Sequence, residues 1–137
     1  MTALTVTYCR PVVIDEQFTG PAGEAITVGQ YVRLNTTTGK VELGNASALG
    51  EAADGGIALH AAAVAEAVTV VRKGILDMGE ALVGLAFNAL VYLSDTDGTL
   101  ADGTGTKTKV LGEVVPGWAN TTADKLLRLN QRDAFTP

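Results

Sequence analysis

The chain has 137 residues and a mass of 14.1 kDa, with 47% hydrophobic and 18% charged residues and a net charge of −5. That is the length of one domain with enough apolar content to bury a core, which excludes wholesale disorder. The acidic balance and the 5% aromatic content argue against a nucleic-acid binder, which carries a basic face and stacking platforms.

The charged share falls below the roughly 25% of an ordinary soluble domain, so part of the surface is expected to be covered by other protein. A single Cys9 excludes an internal disulfide, and with the single His60 it excludes a Cys/His zinc cluster. Residues Met1–Pro11 lack a basic region followed by an apolar stretch, so no signal peptide is expected. No run approaches the roughly 18 apolar residues of a membrane-spanning helix. Folding in a cytoplasm, without membrane or nucleic-acid partners, is the expectation.

Residues 1–11 read as an N-terminal arm, because Leu4-Thr5-Val6-Thr7-Tyr8 alternates up to Pro11. The arm either pairs with a neighbouring subunit or forms an edge strand of its own domain. Residues 12–130 form the predicted single β domain. Its first hairpin runs through Tyr31-Val32-Arg33-Leu34, a turn at Thr36-Thr37-Thr38-Gly39, and Lys40-Val41-Glu42-Leu43. Val32, Leu34, Val41 and Leu43 are the expected inward positions. Leu59–Ala67 is Ala-rich and helical on propensity alone. Gly79–Phe87 reads as a loop with a short helical turn. A second hairpin runs from Ala89-Leu90-Val91-Tyr92-Leu93 through Ser94-Asp95-Thr96-Asp97-Gly98 to Thr99-Leu100. Residues 131–137 read as a tail, frayed or docked through Phe135.

The two hairpins point to an internal repeat, with half-repeats at 23–72 and 82–128. An offset of 59 places Val32 on Val91, Leu34 on Leu93, Gly39 on Gly98 and Val41 on Leu100. Further along, an offset of 56 places Gly56 on Gly112, Val70 on Leu126 and Arg72 on Arg128. Repeated units stack to share a core. The repeat also bears on Leu59–Ala67, whose counterpart contains Pro116-Gly117 and Asn120-Thr121-Thr122, unfit for a helix interior. Strand, loop and strand is therefore predicted there. The fold class is all-β: a small β-barrel or jelly-roll-like sandwich built from two similar halves, with an extended N-terminal arm.

A search for chemistry yields no catalytic, cofactor-binding or metal residues. His60 has Asp54 and Glu66 as its nearest carboxylates, at no spacing that suggests a catalytic partner. Cys9 beside Arg10 reads as a small apolar residue. Asp95, Asp97 and Asp102 resemble a calcium loop, but Thr106 stands where that loop needs Glu, so they read as turn chemistry. The Gly98–Thr108 stretch fails the phosphate-loop pattern, because Lys107 follows Thr106 and not Gly. Trp118, in Pro116-Gly117-Trp118-Ala119, is either a core residue or an interface anchor.

Tyr31–Val41, Val91–Leu100, the strand Leu111-Gly112-Glu113-Val114-Val115 and the lead-in Gly23-Glu24-Ala25-Ile26-Thr27-Val28-Gly29 resemble the capsid decoration (cement) proteins of tailed bacteriophages. The resemblance covers about residues 20 to 130 and leaves out the arm. It implies homotrimers on the outside of the capsid, assembled in the host cytoplasm, that stabilise the head by bridging major capsid subunits. It brings no cofactor and no catalytic residue. Under that reading Leu4, Val6, Tyr8 and Trp118 are the expected capsid or subunit contacts. Two other classes compete: a carbohydrate- or surface-binding β module, which needs exposed aromatics, and a trimeric β enzyme, which needs an acid and phosphate loops.

Overall fold

The computed structural model describes residues 2–53 and 55–136. Met1, Asp54 and Pro137 lie outside the described residues, so the start of the arm, one carboxylate near His60 and the end of the tail are not placed. The fold is all-β, with 44% strand and 3% helix. The strands are β1 (Arg10–Pro21), β2 (Tyr31–Leu34), β3 (Val41–Leu43), β4 (Gly55–Ala58), β5 (Ala67–Asp77), β6 (Leu90–Leu93), β7 (Leu100–Ala101), β8 (Val110–Pro116) and β9 (Lys125–Asn130). They form one antiparallel sheet in the order β3-β2-β4-β5-β9-β8-β6-β7, curled into a half-barrel, with β1 lying along β5.

The order is two copies of one pattern, β3-β2-β4-β5 and β7-β6-β8-β9, joined where β5 meets β9. The pairs obey the offsets read from the sequence. Leu34↔Val41 in the first half becomes Leu93↔Leu100 in the second. Val32↔Gly56 becomes Val91↔Gly112. The β4–β5 and β8–β9 ladders differ by one residue, Ile57↔Val71 against Val114↔Leu127.

Strand β5 links the halves. β1 occupies one of its edges throughout, from Arg10↔Asp77 to Pro21↔Ala67. β4 takes the other edge at Val70 and Val71, and β9 takes it from Lys73 to Leu76. At the fork between β4 and β9 the ladder leaves backbone carbonyls without strand partners. Gln131 fills that fork: its Nε2 donates to Gly55 O at 2.7 Å and to Arg72 O at 3.0 Å. Its Oε1 accepts from the Tyr31 hydroxyl at 3.1 Å. Tyr31 itself is fully buried. Buried backbone acceptors are thus satisfied by one amide at the seam.

Two apolar clusters flank the sheet. The larger gathers Tyr31, Ile57, Leu76, Leu93, Leu111 and Leu127 from both halves. The smaller, with Ile26, Val32, Val41, Val68 and Val70, belongs to the first half. Burying each such side chain contributes on the order of 1.5–3 kcal/mol.

Some expectations change. Of the two readings of the arm, the structure holds pairing within its own domain: Ala3 bridges Ala101, and Leu4 N–H donates to Leu100 O at 2.9 Å. Leu4 and Val6 pack against the larger core, and Cys9 is buried. The edge of β3 is covered likewise, where Gly23 N–H donates to Val41 O at 2.8 Å. Strand β1 starts at Arg10 and crosses the boundary predicted at residue 11. Its register shifts near Val12 and Asp15 break the period-two pattern, which is why its sequence shows none. Leu34 is 41% exposed at the end of β2, so it is not an inward position. The tail docks by main chain, Thr108 pairing with Phe135, while the Phe135 side chain is 55% exposed. Residues 59–67 hold no helix, in line with the strand–loop–strand reading. The short helical turn expected within Gly79–Phe87 is a 3-10 turn at Gly79–Leu82.

Gly56 and Gly112 occupy matching places, and a Cβ would strike Val71 O at the first and Arg128 O at the second. Strands approach there too closely for a side chain. Gly112→Ala is therefore expected to destabilise the fold by about 1–3 kcal/mol, read as a lower urea midpoint. Gly84→Ala, where a Cβ meets nothing within 4 Å, is the control and should leave the midpoint within about 0.5 kcal/mol.

Candidate functional site

The β8–β9 connection, residues 117–124, projects from one end of the molecule. Its stem closes through Gly117 N–H to Asp124 O at 2.9 Å and Ala119 N–H to Asp124 Oδ2 at 2.7 Å. A Cβ at Gly117 would displace the Asp124 carboxylate from this stem. Trp118 rises from this stem with 84% of its surface exposed. Its backbone N–H and C=O make no hydrogen bond to the described residues. A Trp left that bare on a small domain is unusual, because its burial is worth more than that of any other side chain.

Two neighbours extend the apolar surface. Phe87 is 42% exposed and Val83 38%. Lys125 holds this flank: its Nζ lies 5.1 Å from the Phe87 ring centre and donates to Val83 O at 3.0 Å and to Leu85 O. Between Phe87 and residues 116–122 lies an open slot of about 420 Å³. On the other side of Trp118 stand Arg10, Val12, Asp77 and Leu126. Arg10 pairs with Asp77 at 3.5 Å, and Asp77 Oδ1 accepts from Gly79 N–H at 3.0 Å. Gly79 lies against Tyr8, which is 45% exposed.

The structure thus connects Tyr8 and Trp118 at one end of the molecule. It does not bring Leu4 and Val6 there. Those two face Thr27, Gln30 and Gly98 on their own domain. Sequence reasoning missed Phe87, Val83 and Lys125, since nothing in a loop sequence distinguishes an exposed Phe from one docked on the core.

The corresponding connection in the first half is closed. Ile26 and Ala62 exchange two backbone hydrogen bonds, each of 2.9 Å. Ala65 N–H donates to Ala22 O, and Ala22 N–H to Glu66 O, both at 2.8 Å. One hairpin tip is therefore tied to its own chain by main-chain bonds, with Val64 on it 62% exposed, while its counterpart, among the described residues, bonds only within itself and carries a Trp.

The residues weighed for chemistry serve the fold. His60 Nε2 accepts from Thr69 N–H at 3.1 Å, which leaves Nδ1 to donate to Ala61 O at 2.9 Å. Asp95 accepts from Thr106 N–H and hydroxyl at 2.8 and 2.7 Å, Asp97 from Asn45 at 2.6 Å, and Asp102 from Thr2 N–H at 2.6 Å. Among the described residues no three His, Cys, Asp or Glu side chains gather as a metal site. Glu113, buried, pairs with Arg128 across the β8–β9 ladder.

Two titrations follow from these surroundings. The hydrogen bonds from Thr106 hold the Asp95 carboxyl below its ordinary 3.8. Its stabilising effect is present above that value and is lost as pH falls through the folded pKa. Asp95→Asn should flatten the acid side of a stability–pH curve. Burial, and secondarily the charge of Asp77, push the Cys9 thiol up to about 12. The neutral thiol is the form the fold favours, so that contribution is complete below about 9 and is lost as pH rises toward about 12. A thiol reagent at pH 8 should leave the native protein unmodified and label it in denaturant.

Compared with known proteins, the chain matches no family model, no curated protein and no solved structure.

Proposed function

We propose that this chain is a structural virion protein that binds the outside of a tailed-bacteriophage capsid and stabilises it by bridging major capsid subunits. In this reading it works as a homotrimer, transforms no molecule and needs no cofactor. The observation that carries the reading is Trp118, bare on a hairpin tip and flanked by Phe87. A rigid aromatic on a projecting stem is the anchor that a protein interface uses to fill a pocket. The slot beside it is open rather than enclosed, and its lining holds no titratable side chain. Clamping neighbouring shell subunits stabilises the particle by mass action against the pressure of packaged DNA.

Purified protein added to undecorated capsids should decorate them and raise the temperature at which they rupture. Trp118→Ala should weaken attachment at least about tenfold, as loss of an anchoring Trp does, while leaving the fold intact. Shells that ignore the wild-type protein would overturn the capsid reading. Light scattering should give the mass of three copies, and a stable monomer would remove the trimer.

The exposed Trp118 also favours a second reading, a carbohydrate-binding β module. A sugar face stacks on indole, and Asn120, Thr121 and Thr122 beside it offer hydrogen-bonding groups. Saturable glycan binding that changes Trp118 fluorescence, with capsids ignored, would favour this reading over the first.

A further inference from the structure

Among the described residues three hydrogen bonds hold residues 2–9, and two of them end on Asp102. Thr2 N–H donates to Asp102 Oδ1 at 2.6 Å, and Asp102 N–H donates to Thr2 O at 3.0 Å. The third runs from Leu4 N–H to Leu100 O at 2.9 Å. Asp102 is exposed and is followed by Gly103, and the backbone from Gly103 to Gly105 makes no hydrogen bond to the described residues. We infer that Asp102-Gly103 is a self-modifying site: the Gly103 amide closes on the Asp102 side chain, Asp102 becomes isoaspartate, and the N-terminal segment is released from it. Nothing in this chemistry depends on the capsid reading.

The step needs no reagent but water. The Gly103 nitrogen gives up its proton and bonds to Cγ of the Asp102 carboxyl. One carboxyl oxygen leaves as water, and a cyclic imide forms. Water then adds at the former main-chain carbonyl of Asp102, and the C–N bond there breaks. One water is lost and one is gained, so the product keeps the mass of the chain. Its backbone runs through Cβ and Cγ, and a free carboxylate stands on Cα. Glycine favours closure because no Cβ crowds the attacking nitrogen. A loop with so few main-chain bonds reaches the bent geometry of closure by local motion alone. The same dipeptide at Asp97-Gly98 is the internal contrast. Gly98 is buried there, its N–H donates to Gly44 O at 2.7 Å, and Asp97 Oδ1 accepts from Asn45 at 2.6 Å. A nitrogen and a carboxylate each held from elsewhere do not meet. At Asp102 the carboxylate has Thr2 N–H alone as its partner, and Gly103 N–H has none among the described residues. Isomerisation moves that carboxylate from the end of a side chain onto the main chain, so it no longer reaches Thr2 N–H.

The full chain is kept at neutral pH and physiological temperature for several weeks and sampled. Electron-transfer fragmentation of its peptides tells isoaspartate from aspartate at each position. Isoaspartate at residue 102 should rise several times faster than at residue 97. In the same samples hydrogen exchange at Leu4 N–H should lose protection in proportion to the fraction modified. Gly103→Ala, with its fold checked by circular dichroism, should slow the conversion severalfold and keep Leu4 protected over the same period. No isoaspartate at residue 102, or a rise at residue 97 as fast as at residue 102, overturns the inference from the wild-type chain alone. Isoaspartate at residue 102 with Leu4 still protected overturns the release of the N-terminal segment.

Discussion

One strand has to serve both halves of this molecule, and its edge cannot be given twice. With β1 along one edge of β5, the other edge is divided between β4 and β9. A divided edge must fork, and a fork exposes carbonyls that the interior will not leave unpaired. The Gln131 amide meets Gly55 O and Arg72 O there, and Tyr31 ties the same amide to the core. The larger apolar cluster, shared by the halves, packs against that seam through Tyr31. The close strand approach at Gly56 and Gly112 belongs to the same geometry, since a tightly curled sheet brings backbone against backbone.

The halves share a strand order but not their coverings. Ala22–Ile26 bonds by main chain to one hairpin tip, while Ala81–Leu85 winds and is held by a lysine instead. Small Ala62 suits a tip bonded to its own chain. Trp118 at the matching place suits a tip that meets something else. Both ends of the sheet are also closed by the chain itself, β3 by Ala22–Gly23 and β7 by Thr2–Leu4. Among the described residues Trp118 is the most exposed large apolar side chain, and that is where the proposed partner docks.

Polar side chains are spent on shape. Asp95, Asp97 and Asp102 each accept hydrogen bonds that pin loops or the N-terminal segment. His60 ties its own turn to β5, and Cys9 sits buried as an uncharged thiol. A chain with few charges can use many of them this way.

Period-two alternation, turn residues and the two offsets were enough to place β2, β3, β6 and β7, to pair them, and to favour strand, loop and strand over a helix at residues 59–67. These are local properties, because a hairpin carries its own register in its turn. Strand β1 is hidden in the sequence because its bulges scramble the alternation, and the choice between the two readings of the arm rests on a partner, Leu100–Ala101, that lies far along the chain. For the candidate site, sequence singled out Tyr8 and Trp118 but also Leu4 and Val6, which the fold turns inward. Whether Trp118 was core or surface, and whether Phe87 stood beside it, rested on which segment covers which hairpin. That is a matter of contacts between distant residues, and only the tertiary structure decides it.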